Sequence, residues 1–132
     1  MRSRVVASGG AAFGEVAARV YKEAEGRFCE ITRRVLLGPV EGDALAFELR
    51  YFEIAPGGWS SLERHRHPHA VVVLTGRGEV RLGSERHPIA PFDAVYVAPE
   101  DAHQFRAAPD AKLGILCVVD AERDAPELID EG

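Results

Sequence analysis

The stretch of sequence that decides the fold is Glu63-Arg64-His65-Arg66-His67-Pro68-His69. It places three of the five histidines and one carboxylate within a single short segment. Residues two apart on a strand point to the same face, so Glu63 and His65 would face one cavity. Pro68 offers a turn that returns His69 on the next strand. A same-face cluster of this kind is what a metal site requires, whereas an isolated histidine beside arginines is ordinarily solvated.

A fourth candidate ligand, His103, lies downstream after an apolar run that ends at Pro99. Imidazole and carboxylate together suit a first-row transition metal and suit magnesium or calcium poorly. The sequence therefore predicts a divalent transition metal as cofactor, which is iron, manganese, nickel, copper or zinc. Its candidate ligands are Glu63, His65, His69 and His103.

Length and charge limit the class of protein. At 132 residues the chain has the size of one domain. Its net charge of −5 argues against a nucleic-acid partner, which would need a basic face. No segment approaches the roughly 18 apolar residues of a membrane span, so we expect no membrane partner. Arg64 and Arg66 alternate with the candidate ligands, so we expect them on the solvated outer face.

The chain has two cysteines, Cys29 and Cys117. With no apolar signal segment near Met1, they indicate free thiols in a reducing, cytoplasmic setting. Cys117 lies within the apolar run 113–119. Two interpretations stay open: Cys117 is a small buried hydrophobe, or it faces the cavity as a soft ligand or a reactive thiol.

Short β-rich runs separated by glycine, proline and aspartate predict an all-β sandwich or barrel. We expect an N-terminal arm and first strand at 1–43, a core at 44–120 and an arm or frayed tail at 121–132. Residues 11–25 predict a short helix or an arm. The predicted strands are 30–37, 44–54, 59–65, 69–75, 79–82, 86–90, 93–98, 103–107 and 112–119, with Pro56-Gly57-Gly58 as the turn that ends the second.

The run Val71-Val72-Val73-Leu74 lacks apolar/polar alternation. This pattern predicts a strand that is covered on both faces. A second sheet, the N-terminal arm or a second subunit would supply the cover, so we expect a homodimer.

The spacing of the cluster resembles the first motif of the cupin superfamily, G(X)5HXH(X)3E(X)6G. Gly57, Glu63, His65, His69 and Gly76 reproduce every interval. The residue types are exchanged, since a glutamate stands at the first histidine position and a histidine at the glutamate position. The resemblance implies a small double-stranded β-helix or jelly-roll barrel.

The second cupin motif, G(X)5PXG(X)2H(X)3N, is matched in register but poorly in residue type. His103 takes its ligand position, counted from Phe92 at the glycine position. Ala98, Glu100 and Ala107 replace the proline, the second glycine and the asparagine. The resemblance covers residues 44–119.

A rival alignment makes His65 and His67 the HXH pair and places Val71 at the third ligand position. We favour the gapless alignment. It leaves His67 in the turn, either facing solvent or hydrogen-bonded to a ligand imidazole, with a smaller chance of being a ligand itself. His87 is expected on a surface hairpin.

Cupins include dioxygenases, isomerases of phosphorylated sugars, decarboxylases and ligand-binding proteins, so the fold alone does not determine the function. We expect a metal-dependent enzyme with a small-molecule ligand, such as a dioxygenase or isomerase. The alternative is a non-catalytic binding or sensing protein. Tyr96 and Glu100 are candidate catalytic groups. The expected cavity-lining residues are Phe47, Tyr51, Trp59, Phe105, Leu113 and Cys117.

Overall fold

A computed structural model describes residues 3–9, 13–14, 16, 19–20 and 29–129 of the chain. Within these residues eleven strands form one curled sheet, and a 3-10 turn occupies Pro39–Glu41. The all-β jelly-roll prediction is confirmed. In the described residues no helix is long and apolar enough to cross a bilayer. The strands are β1 (Arg19–Val20), β2 (Cys29–Leu37), β3 (Phe47–Trp59), β4 (Glu63–Arg64), β5 (His69–Gly76), β6 (Gly78–Leu82), β7 (Glu85–Ile89), β8 (Ala94–Val97), β9 (His103–Ala107), β10 (Leu113–Asp120) and β11 (Glu127–Leu128).

The sheet has the strand order β11-β4-β9-β3-β10-β5-β8, and all its pairs are antiparallel. Strands β1 and β2 extend from β3, while the β6–β7 hairpin pairs with β9 through β6. Because the sheet curls, inward side chains of opposite strands meet in one core. That core is aliphatic, and the histidine cluster lies beside it at β4, β5 and β9.

Strand β3 does not end at Pro56-Gly57-Gly58, so that predicted turn is wrong. The strand continues to Trp59 through Gly57, whose φ of 75° lies in the left-handed region that glycine tolerates. Up to Ile54 the strand pairs with β2 and β10, and beyond the glycine Trp59 pairs with Cys29 of β2 and with Arg106 of β9. Beyond the bend β3 therefore keeps β2 as a neighbour and exchanges β10 for β9, which brings it next to a histidine-bearing strand.

Strand β5 alternates in burial, although its sequence does not alternate in polarity. Val71 and Val73 are buried, while Val72 between them is 38% exposed. The prediction of cover on both faces is therefore wrong for the single chain, and the homodimer stays a prediction. The strand ends at Gly76, where a Cβ atom would lie 1.6 Å from the carbonyl oxygen of Lys112. Only glycine fits this turn, as the motif predicted.

The two ends of the chain both pack on the barrel where they are described. Within the predicted helix or arm at 11–25, Arg19–Val20 pairs with β2 as a strand, so this part fits the arm and not the helix. Residues 11–12, 15, 17–18 and 21–25 lie outside the described residues. Of the two alternatives for the tail, its described residues fit the arm and not the frayed end. Its strand β11 pairs with β4, and the Arg64 guanidinium donates to the Glu127 carboxylate at 3.1 Å. The tail thereby covers the edge of β4, the strand that leads to His65.

Candidate metal centre

Three imidazoles converge at one end of the barrel. His65 follows β4, His69 opens β5 and His103 opens β9. Each offers a ring nitrogen, and these nitrogens all lie within 4.8 Å of one another. The Nε2 atoms of His65 and His69 are 2.8 Å apart. Three of the four predicted ligands are therefore brought together, and they are the three histidines of the gapless alignment.

Backbone carbonyls fix the orientation of two of these rings. His65 Nδ1 lies 2.5 Å from the carbonyl oxygen of His67, and His103 Nδ1 lies 3.0 Å from that of Asp101. A carbonyl oxygen can only accept, so each Nδ1 carries the hydrogen and donates. The lone pair of each ring is then on Nε2, which is the arrangement of a metal-binding histidine. Two nitrogens bound at about 2.0–2.1 Å in adjacent positions would be about 3 Å apart, close to the observed separation. The residues therefore fit a transition metal.

Burial keeps His65 and His69 neutral. Burial, together with the smaller effect of the neighbouring imidazoles, His103 foremost, lowers the pKa of His65 to about 4 and that of His69 to about 2. An imidazole binds metal only in its neutral form. These two rings are therefore in their metal-binding state at neutral pH.

Glu63 is buried next to the cluster, and its backbone pairs with His103 across β4 and β9. Its Oε2 accepts a hydrogen bond of 2.9 Å from Ser61 Oγ. The group of ligand atoms within 4.8 Å consists of the three histidines and does not include this carboxylate. Its role as the fourth ligand remains a prediction.

His67 is buried, so the solvent-facing alternative is wrong. Its ring stacks on that of His65 with centroids 3.7 Å apart, and its Nδ1 lies 2.9 Å from Asp124 Oδ1. Asp124 also accepts the backbone N–H groups of Arg66 and His67, and these bonds hold the pKa of its carboxyl far below the usual value. Sequence reasoning missed Asp124, because nothing local relates the tail to a turn so far back in the chain.

Two cavities meet at the cluster, and Glu63 and His69 line both. The inner cavity has a volume of about 40 Å³ and the outer one about 200 Å³. The inner cavity is mostly apolar and is lined in part by Phe52, Ile54, Val71, Phe105, Ile115 and Cys117. The outer cavity has polar and apolar surface in similar amounts and is lined in part by the polar side chains of Arg33, Arg50, Arg123, His65 and His67.

Cys117 is buried in the apolar core and also lines the inner cavity, so both interpretations stay open. Its Sγ lies 2.9 Å from His69 Nδ1 and 3.5 Å from Arg50 Nη2. Burial raises the pKa of the thiol, and the Arg50 guanidinium opposes that effect. The thiol is thus in contact with one ligand imidazole and with one buried cation.

Several predicted site residues lie elsewhere. Phe105 lines the inner cavity as expected, but the following do not line either cavity: Phe47, Tyr51, Trp59, Leu113, Tyr96 and Glu100. Tyr51 packs against Phe13 on the opposite face of β3, and the Arg106 guanidinium lies over the Trp59 ring. The alternation of β3 turns Arg50, Phe52 and Ile54 inward, so the prediction chose the wrong face of this strand.

The two candidate catalytic groups are also outside the site. Tyr96 is 67% exposed on the outer face of β8. Glu100 lies in an exposed turn, where its backbone N–H donates to the carbonyl oxygen of His65 at 2.8 Å. It supports the cluster through its backbone, and its carboxylate does not enter the cavities. His87 is exposed on the β6–β7 hairpin, as expected.

The fold and the site together define a class of protein. The cupin domain family model matches residues 50–119, which include the cluster and both motif regions. The chain belongs to the cupin family.

Particular relatives are also similar. A 1-methylthio-D-xylulose 5-phosphate methylsulfurylase from Rhodospirillum rubrum is 48% identical over 107 residues, which cover 81% of this chain and 67% of that protein. The crystal structure of a cupin-2 domain protein from Rhodospirillum rubrum matches with a TM-score of 0.82 and 47% identity, over 89% of this chain and 78% of that one. A cupin 2 conserved barrel protein from Rhodopseudomonas palustris matches with a TM-score of 0.84 and 41% identity, over 98% and 88% of the two chains.

Proposed function

We propose that this protein is a metal-dependent enzyme that removes the methylthio group from a phosphorylated ketose, as the name of the Rhodospirillum rubrum relative describes for that protein. The observation that carries the proposal is the contact of 2.9 Å between Cys117 Sγ and His69 Nδ1. It brings a thiol, the group that exchanges with other sulfur atoms, next to the candidate metal ligands.

His65, His69 and His103 would hold the metal, with Glu63 as the proposed fourth ligand. When bound, a divalent transition metal supplies a Lewis acid that polarises the ketone and hydroxyl oxygens of a sugar. The neutral state of the buried imidazoles supports this role, since protonated rings would not bind the ion.

The two cavities match the two ends of such a substrate. The inner cavity has room for about three water molecules, which is enough for the two heavy atoms of a methylthio group. Its lining is apolar apart from the thiol, two serines and the ligand side chains. The outer cavity has three arginines against one carboxylate, which suits a phosphate.

In the proposed reaction the Cys117 sulfur bonds to the methylthio sulfur as that sulfur separates from the sugar carbon. The electron pair of the broken bond stays on the sugar beside the ketone, and a proton takes the place of the sulfur. Cys117 is left as a methyl disulfide, which an external thiol must cleave before the next turnover. The Arg50 guanidinium, 3.5 Å from the sulfur, favours the thiolate that begins the reaction.

The expected dioxygenase activity has less support. The aromatic residues Trp59 and Tyr96, which that expectation placed beside the metal, do not line the inner cavity. A sugar-phosphate isomerase would use the same metal and cationic cavity, but it gives the thiol no role. A non-catalytic binding protein would bind the same compound without turnover.

The test supplies the metal-loaded protein with 1-methylthio-D-xylulose 5-phosphate and a thiol reductant under argon. Mass spectrometry follows the sugar and the modification of Cys117. We expect loss of the methylthio group without oxygen, and a methylthio adduct on Cys117 when the reductant is left out. An isomerised sugar that keeps its sulfur would favour the isomerase, and binding with no product would favour the binding protein.

A further inference from the structure

Arg50 is a buried cation at the boundary between the two cavities. Its side chain is 4% exposed and lines the outer cavity, and its guanidinium carbon lies 4.9 Å from the centre of the Phe52 ring. One of its terminal nitrogens, Nη2, is 3.5 Å from Cys117 Sγ. The side chain therefore extends from the thiol to the outer cavity.

The Nε atom of Arg50 is buried and has no hydrogen-bond partner among the described residues. The nearby carboxylate oxygen Glu48 Oε1 is 4.0 Å away, beyond hydrogen-bond distance. That same oxygen accepts a hydrogen bond of 3.0 Å from Arg123 Nη2. Glu48 is therefore hydrogen-bonded to Arg123, and it does not satisfy the Nε donor of Arg50.

A buried guanidinium donor without an acceptor is costly, because burial removes the water that would otherwise accept from it. The cavity that it faces is lined by two further arginines, Arg33 and Arg123, and by one carboxylate, Glu63. The histidines there that belong to the candidate metal site are neutral when they bind metal. The surroundings of Arg50 thus favour an anion, and its planar fork matches the oxygens of a phosphate.

We propose that Arg50 binds the phosphate group of the substrate in the outer cavity, with Arg33 and Arg123 adding to the positive field there. The identity of the substrate rests on the proposed function, whereas the phosphate site does not. Since the same guanidinium contacts Cys117, the phosphate site and the thiol are held in a fixed relation. A substrate with a phosphate at one end and a methylthio group at the other would place its ketone beside the histidine cluster.

The experiment titrates inorganic phosphate into the metal-loaded protein by calorimetry, with chloride at the same ionic strength as reference. The variants are Arg50→Gln, Arg50→Lys and the control Arg77→Gln, whose exposed side chain is paired with Asp110 away from the site. We expect Arg50→Gln to weaken phosphate binding about tenfold or more, since a charged hydrogen-bond donor is lost. Arg50→Lys keeps the charge but loses the fork, so we expect a weakening of several-fold. The control should bind as the wild type does.

Metal content and circular dichroism are measured on each variant. Equal phosphate affinity in the folded Arg50 variants would overturn the proposal and would mean that the metal or another residue holds the anion. No detectable binding by the wild type would overturn it as well. If Arg50→Gln does not fold, the Arg50→Lys variant decides by the same criterion.

A second measurement separates this proposal from the proposed function. Competition by inorganic phosphate is measured against turnover of 1-methylthio-D-xylulose 5-phosphate, and KM is compared with that for the sugar without its phosphate. Phosphate binding that depends on Arg50, with no turnover of either compound, would leave the phosphate site standing and would reject the methylthio substrate. Turnover with the same KM for both compounds would retain the enzyme and reject the phosphate site.

Discussion

The ring of His69 lies between the candidate metal and the thiol: its Nε2 is 2.8 Å from His65 Nε2 and its Nδ1 is 2.9 Å from Cys117 Sγ. If Nε2 binds a metal, Nδ1 must carry the hydrogen and donate it to the sulfur. A hydrogen bond to sulfur favours the thiolate over the thiol. Metal binding and activation of the thiol are therefore expected to be coupled through one imidazole.

Replacement of the thiol should separate binding from chemistry. Cys117→Ser keeps the shape of the side chain approximately but replaces the nucleophilic thiol by a hydroxyl, which cannot form the disulfide. We expect metal content to be unchanged and removal of the methylthio group to fall by about 10³-fold or more, since loss of a nucleophile removes most of the rate. Elemental analysis and product formation measure the two effects. A variant that keeps its full rate would exclude Cys117 from the reaction.

The three clustered histidines should be necessary for metal retention. We expect His65→Ala, His69→Ala and His103→Ala each to reduce metal content severely after dialysis, because three ring nitrogens within 4.8 Å form the donor set. His87→Ala is the matched control, since His87 is exposed on a hairpin. Elemental analysis at equal protein concentration is the measurement. Equal metal content in all four variants would reject the site.

Glu63 and His67 should differ in their effect on the metal. Glu63→Gln keeps the acceptor for Ser61 but removes the charge, and we expect metal affinity to fall about 10- to 100-fold. His67→Ala removes a ring that stacks on His65 and bonds Asp124, so we expect a smaller loss. Competition with a chelator measures both affinities. The reverse order would make His67 the ligand and support the rival alignment.

The barrel fold and the histidine cluster could be predicted because the intervals between the residues of the first motif indicate both. Two motif glycines, Gly57 and Gly76, have positive φ values of 75° and 80°, which glycine adopts without steric cost, and at Gly76 the Lys112 carbonyl oxygen leaves no room for a Cβ atom. Of the histidines between them, His65 then directly follows β4 and His69 opens β5. Local spacing was sufficient for this part of the site.

The second motif has the backbone conformation typical of glycine at its two glycine positions, although neither residue there is glycine. Phe92 and Glu100 stand at the two glycine positions, and both adopt left-handed φ values of 73° and 69°. The register of His103 therefore depends on backbone conformation that the residue types do not reveal. This is why the motif matched poorly in sequence although its ligand position is occupied.

The remaining site residues depend on contacts between distant segments. Arg50 points inward on β3. Polarity patterns normally place arginine on the outer face of a strand, so the prediction assigned Phe47 and Tyr51 to the cavity instead. Asp124 reaches His67 only after the tail has folded back along β4. Neither contact leaves a periodic signal in the chain.

The metal-free protein should lose stability as the pH falls below about 6.5. The unfolded chain protonates its histidines near pH 6.5, whereas the folded pKa of His65 is about 4 and that of His69 about 2. Between these values the unfolded state binds more protons, so the free energy of unfolding decreases as pH falls from 6.5 towards 4. Urea unfolding of the chelator-treated protein at pH 7, 6 and 5 measures this.

The control for this pH dependence is the double variant His65→Ala/His69→Ala, in which the decrease should be much smaller. A wild-type protein with the same free energy of unfolding at all three pH values would contradict the lowered pKa values.

Replacement of Phe92 by glycine should stabilise the protein. Phe92 is 86% exposed, so its ring contributes little burial, yet its φ of 73° costs a residue with a side chain about 1–2 kcal/mol. Glycine removes that cost and loses about 0.5–1 kcal/mol through the greater entropy of the unfolded chain, so we expect a net gain of about 0.5–1 kcal/mol. The backbone N–H that donates to the Val73 carbonyl oxygen is retained.

Phe92→Ala is the control, because it removes the ring but keeps the Cβ atom that makes this conformation unfavourable. Urea unfolding should therefore show a gain for Phe92→Gly and none for Phe92→Ala, and an equal gain in both variants would assign the effect to the ring and not to the backbone.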